Sequence, residues 1–279
     1  MQVSRFMTRR PVTVAPDASI DAAIALMEQH GFRHLPVARG SEVMGMVSDR
    51  DVRLGTGGQA LASLGVPEES GLPRRVDQIM RAPVVCVEEH ERGPTAARRM
   101  IEQHIGALPV LESGRLVGIV TETNLVSAFR DLCRDPAHSD ELDRPVEEVM
   151  HSLVVTMEPE ETLEDAIERC HDWRIRHVPV MKDEELVGMV SDRDIRLALG
   201  RQLVTEALAV KKGGRPSSPP RVHQIMTRDV VTIDPRETLS RAVGVMLEHR
   251  VSALPVQLDG MLMGIVTRTD ILEHYGSVA

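Results

Sequence analysis

Residues 45–54 read GMVSDRDVRL, and residues 188–197 read GMVSDRDIRL. A single exchange, Val52 for Ile195, separates two ten-residue stretches that lie far apart in one chain. Each is a glycine and two apolar residues followed by Ser-Asp-Arg-Asp at the start of a second run. That pattern reads as a strand ending where a helix begins. Working outward from these stretches, four segments align without a gap: 3–55, 76–129, 146–199 and 222–275. Each has a methionine near its start (Met7, Met80, Met150, Met226), then a Pro-Val that begins 29 positions later at Pro36, Pro109, Pro179 and Pro255. Each also has a glycine 38 positions after the methionine, at Gly45, Gly118, Gly188 and Gly264. All length variation falls between the segments, so the segments are units and the gaps are linkers.

The four copies are not equally alike. Copies one and three share Arg-His-x-Pro-Val (Arg33, His34, Pro36; Arg176, His177, Pro179), whereas copies two and four share Ala-Leu-Pro-Val (107–110; 253–256). The duplicated object was therefore a pair, 1–133 and again 143–279. Within a copy, β-branched runs such as Val12-Thr13-Val14 and Val230–Ile233 predict a first strand. Ile20, Ala23, Ile24 and Met27, like Leu163, Ala166, Ile167 and Cys170, recur at helical spacing and predict an amphipathic helix. Leu35–Val37 and Val43–Val47 predict a hairpin turning at Arg39-Gly40-Ser41, and a second helix starts at Ser48. The fold class is α/β, four β-α-β-β-α units. One unit of about 54 residues buries too little surface to be stable alone, so the units are expected to pair.

Composition narrows the function. The chain of 279 residues carries a net charge of −9, which disfavours nucleic acid and anionic membrane surfaces. Aromatic residues make up 2%, too few for base-stacking platforms. Neither a signal core nor an apolar stretch long enough to span a bilayer is present. Cys86, Cys133 and Cys170 have no metal-site spacing and suit reduced thiols in a cytoplasm, with Cys86 and Cys170 read as buried small hydrophobes. The linkers 55–75 and 211–221 are rich in Gly, Pro and Ser, and Lys211, Lys212 and Arg215 read as a solvated basic stretch. The copies and linkers leave no stretch for a separate catalytic domain. There is no nucleophile elbow or Walker motif. His30 and His34 do not recur as a metal pair, because Trp173 stands at the His30 position of copy three.

The polar chemistry concentrates where the hairpin ends. Every copy places a hydroxyl there and an Asp or Asn three residues on: Ser48 and Asp51, Thr121 and Asn124, Ser191 and Asp194, Thr267 and Asp270. Such a pair can cap a helix. It can equally present a hydroxyl and free N–H groups to a phosphate, and a carboxylate to the vicinal hydroxyls of a ribose. Both roles are open to one pair of residues. Arg50 and Arg193 inside Ser-Asp-Arg-Asp, with Arg33 and Arg176 nearby, offer guanidinium forks for phosphate oxygens.

The motifs Met…Val-x-Thr-Val-x-Pro, [Leu/Val]-Pro-Val and Gly-h-h-[Ser/Thr]-x-x-Asp (h, apolar) together resemble the cystathionine-β-synthase (CBS) domain, and the resemblance covers all four copies. The first pair is similar to the stand-alone pairs of acetoin-utilisation regulatory proteins. In that family two copies form a Bateman module that binds adenosine-containing ligands in clefts between them. The resemblance implies that Asp51, Asp194, Asp270 and Asn124 hold the ribose. It places Ser48, Ser191, Thr267 and Thr121, with Arg50 and Arg193, near ribose or phosphate, and Thr13, Val14, Thr156, Met157, Thr232 and Ile233 around the adenine. It implies a non-catalytic cytoplasmic sensor of ATP, ADP or AMP, with or without Mg2+. Its output passes to an unknown protein effector, its two modules pack as an intrachain pseudo-dimer, and homo-oligomerisation is left open. The rival readings are a ligand-free scaffold, a sensor of S-adenosylmethionine, NAD or a dinucleotide, and, more distantly, a hydrolase.

Copy two departs from the pattern. Cys86 replaces the strand threonine, Glu89 the proline and Asn124 the carboxylate, and Gly93-Pro94 is expected to interrupt the start of its helix. Its pocket is expected to be the weakest of the four.

Overall fold

The computed structural model describes residues 1–56, 73–200 and 218–277, so most of the linker stretches, including Lys211, Lys212 and Arg215, lie outside the described residues. In every copy a helix leads into a hairpin and the hairpin into a second helix. Copy one has α1 (Ile20–His30), β1 (His34–Arg39), β2 (Glu42–Ser48) and α2 (Asp49–Thr56). Copy two has α3 (Gly93–Gln103), β3 (Ala107–Glu112), β4 (Arg115–Thr121) and α4 (Glu122–Cys133). In copy three these are α5 (Leu163–Asp172), β5 (His177–Lys182), β6 (Glu185–Ser191) and α6 over 192–200. Copy four supplies α7 (Leu239–Glu248), β7 (Ala253–Leu258), β8 (Met261–Thr267) and α8 (Arg268–Ser277). No helix among the described residues is long and apolar enough to cross a membrane.

Local chemistry explains the element boundaries. Ser19, Thr162 and Thr238 each accept the backbone N–H three residues on, capping α1, α5 and α7. Copy two has no such cap, but Pro94 lies in the first turn of α3, where no intrahelical N–H is needed. The expected interruption of that helix is therefore corrected: α3 begins at Gly93 and runs intact. The first strand needs a second correction. In copies one, three and four it shrinks to one parallel bridge, Val14 to Val37, Met157 to Val180 and Ile233 to Val256. Pro16, Pro159 and Pro235 follow two residues later and lack the N–H that would extend the ladder. In copy two Glu89 stands there, its N–H donates to the Leu111 carbonyl at 2.9 Å, and a two-residue strand, Val87–Glu88, forms.

The opening of each copy does not stay with that copy. Thr8–Arg9 pairs antiparallel with β4 of copy two, while Arg81 of copy two bridges Met46 in β2 of copy one. Likewise His151 bridges Ile265 in β8, and Thr227 bridges Met189 in β6. Val3 and Met7 accordingly belong to the core of copy two, and Val76 and Met80 pack in that of copy one. The shared methionine and the shared glycine meet across this exchange. A Cβ on Gly45 would lie 2.8 Å from Met80 Sδ, and one on Gly118 2.6 Å from Met7 Sδ. Only glycine leaves room.

Copies one and three keep separate cores, whereas those of copies two and four merge into one. Helix α8 packs on α3 and α4, and α7 on α4. At the centre Phe129 and Tyr275 meet edge to face at 5.6 Å, and Arg98 donates to the Gly276 carbonyl at 3.1 Å. The two modules are thus joined through copies two and four. Of the cysteines only Cys133 is fully buried; Cys86 and Cys170 are partly buried, with Cys170 packed against the copy-three core, which corrects their reading as buried residues in degree. Val87, next along the chain, takes the inward position beside Cys86. Burial pushes the thiols up, Cys133 to about 12 and Cys170 to about 11.

Candidate functional site

In copies one to three the hydroxyl and the Asp or Asn three residues on close into a reciprocal cap at the end of the hairpin, and in copy four one half of it forms. Ser48 N–H donates to Asp51 Oδ2 at 2.9 Å, and Asp51 N–H donates back to Ser48 Oγ at 3.2 Å. Ser191 and Asp194 repeat this at 2.9 and 3.3 Å, and Thr121 and Asn124 at 3.0 and 3.3 Å. Thr267 N–H donates to Asp270 Oδ2 at 2.7 Å. One carboxylate oxygen of each aspartate, and the single side-chain oxygen of Asn124, is therefore committed to its own helix. Only the second atom remains for other chemistry.

That second atom differs from copy to copy, and the difference comes from the exchanged opening. Arg81 Nε donates to Asp51 Oδ1 at 3.0 Å, and His151 Nε2 lies 3.0 Å from Asp270 Oδ1. Asp194 Oδ1 has no hydrogen-bond partner among the described residues. In copy two Asn124 Oδ1 is used by the cap, which leaves only its amide donor. Asp270 is 4% exposed, and burial raises its pKa against the opposing pull of the Thr267 N–H and His151. No local motif in the sequence marks Arg81 or His151. Their signal was positional, since each follows its copy's methionine, but it has meaning only once the exchange is known.

The CBS domain family matches residues 3–54, 76–131, 146–201 and 222–277, most of the chain. The chain belongs to the CBS-domain family. A 33.4 kDa protein from the ribosomal RNA operon of Thermofilum pendens is 30% identical over 98% of this chain and 91% of its own length. The crystal structure of protein MJ1225 from Methanocaldococcus jannaschii superposes with a TM-score of 0.74 at 22% identity, covering 99% of this chain and all of the other. A Pyrococcus horikoshii structure superposes at 0.67 and 21% identity, with the same coverage of both chains. These two likenesses place all four CBS copies in one known arrangement.

Within that arrangement the remaining candidate residues separate. Arg50 and Arg193 are exposed, and Arg193 leaves Asp192 to pair with Arg196 instead. Val14, Met157 and Ile233 lie in or against the CBS cores, while Thr13, Thr156 and Thr232 are half-buried. Thr156 and Met157 line a cavity of about 520 Å³ at the tip of the copy-three hairpin, with Glu158, Glu161, Asp183 and Glu184. Ser191 and Asp194 lie at the opposite end of β6 and are not part of it. Arg169 spans its wall, donating to the Thr156 carbonyl and to Glu161; Arg99 does the same for Cys86 and Glu91 in copy two.

The copies of each module meet where their hairpins begin. His34 packs against Gly106, and His177 Nε2 lies 2.9 Å from Ser252 Oγ. Burial, reinforced by the adjacent Arg33 and Arg176, lowers both histidines to about 4. Between modules, Arg268 Nη1 donates to Thr123 Oγ1 at 2.9 Å, linking the junctions of copies four and two.

Proposed function

We propose that the protein is a non-catalytic sensor of adenine nucleotides, of the ATP, ADP or AMP class, whose ligand state is read by a protein partner. The observation that carries this reading is Asp194. Its cap uses one oxygen, and the other, at a helix N-terminus beside the Ser191 hydroxyl, has no partner among the described residues. An unpaired carboxylate oxygen suits a ribose diol, and the half-occupied helix start suits a phosphate. Membership of the CBS family supports the adenosine class. Arg193, exposed one residue away, is the group proposed to reach the phosphates. Binding then favours one arrangement of the modules over another, and the merged core of copies two and four is the element through which that bias spreads.

Thermal unfolding with ATP, ADP and AMP, with and without Mg2+, tests this. At 100 times the dissociation constant a ligand stabilises the fold by about 2.7 kcal/mol, a rise of a few degrees for a chain of this size. S-adenosylmethionine and NAD serve as competitors that would move the ligand class. One observation favours a second reading, the ligand-free scaffold: the three aspartates and Asn124 are all already engaged in caps. No shift with any adenosine compound at millimolar concentration would establish that scaffold.

A further inference from the structure

We infer that the residue following each exchanged methionine decides whether the junction it faces can take a ligand, with Arg81 and His151 holding Asp51 and Asp270 closed and Thr227 leaving Asp194 open. This deepens the sensor reading and rests on it. The four junctions are built alike. Thr8, Arg81, His151 and Thr227 bridge Ile119, Met46, Ile265 and Met189, each two residues before the hydroxyl of the junction. With register held constant, what varies is the length and charge of one side chain. Arginine and histidine reach the second carboxylate oxygen, each at 3.0 Å. Threonine makes no hydrogen bond to Asp194 or to Asn124.

Occupation of that oxygen matters because the first is already satisfied by the cap. A diol approaching Asp51 must displace a charge-assisted bond from a guanidinium, and at Asp270 it meets a carboxylate that is almost wholly buried. Approaching Asp194 Oδ1 it meets no such bond among the described residues. At the Asn124 junction Thr8 makes no bond to Asn124, but the side chain has no second acceptor, so this junction is weak. The order of affinity is thus set by residues donated from the neighbouring copy.

The experiment is calorimetric titration of the full chain with ATP and with AMP, using one exchange at the copy-three junction and three on the exposed opening segments. Asp194→Asn keeps the cap, as Asn124 does in copy two, and removes the free acceptor. Thr227→Arg installs at Asp194 the side chain that closes Asp51. Each is expected to weaken the tightest binding event about tenfold or more. Arg81→Thr and His151→Thr are expected to do the reverse, adding a binding event or tightening an existing weak one by a similar factor. Circular dichroism and melting temperature establish that each variant is folded. If the tightest event survives both Asp194→Asn and Thr227→Arg, or if both threonine variants bind no better than the parent, the inference is overturned while the sensor reading stands. If the folded parent and every variant bind neither nucleotide, the sensor reading fails, and this inference with it.

Discussion

Gly93 stands where the other three copies carry Ile20, Leu163 and Leu239, all buried. Read along the chain it looks like a defect in the copy-two helix; in the fold it is a socket. A Cβ there would meet the Tyr275 ring, 3.0 Å from Cζ and 3.1 Å from Cε1, and that ring belongs to the other module. Restoring the residue of the sister copies, Gly93→Leu, should overpack this contact. The expected cost is about 1–3 kcal/mol, read as a lower denaturation midpoint. The Tyr275 hydroxyl is buried and has no partner among the described residues, and burial raises its pKa to about 12. Tyr275→Phe should therefore leave stability unchanged or raise it, because it removes an unsatisfied polar atom. A clear loss on Tyr275→Phe would mean that a bound water satisfies the hydroxyl. The sequence could show that Gly93 differs from its sisters, but not why, since nothing local connects residue 93 with residue 275.

Among the elements, helices and hairpins were legible because their signals are local: spacing of three and four, alternation, a glycine turn. The first strand was over-read, since three β-branched residues promise more ladder than a following proline permits. The exchanged openings were not legible at all. The methionine and glycine were visible as a fixed spacing within each copy, but they touch between copies, and pairing partners are not written in periodicity. The histidines at the start of β1 and β5 give this level its prediction. His34 is faced by Arg33, Asp49 and Asp51, and His177 by Arg176, Asp192, Asp194 and Arg268. With folded pKa values of about 4 against an ordinary 6.5, both are neutral in the fold and take up protons on unfolding. Their contribution is fully present above pH 6.5 and is lost as pH falls toward 4, at up to about 1.4 kcal/mol per pH unit for each histidine. Denaturation midpoints measured across that window should fall steeply for the parent chain. The double variant His34→Asn, His177→Asn should give a flatter profile; equal slopes would show that carboxylates alone carry the acid loss.

On the scale of the whole molecule the two modules differ from two beads on a string, because one core runs through copies two and four while copies one and three pack around their own. Within each module the union is closer still. Copy one contributes Val3 and Met7 to its neighbour, and receives Val76 and Met80 in return. Connection therefore survives loss of the peptide link. Pieces 1–60 and 61–279, co-expressed from separate reading frames with a tag on one, should copurify as an equimolar complex, and recovery of the tagged piece alone would contradict the exchange. For heredity the same feature sets a unit of change. A lone copy gained or lost would orphan one opening and leave one hairpin without its edge, so deletions and duplications in such genes should be tolerated in twos.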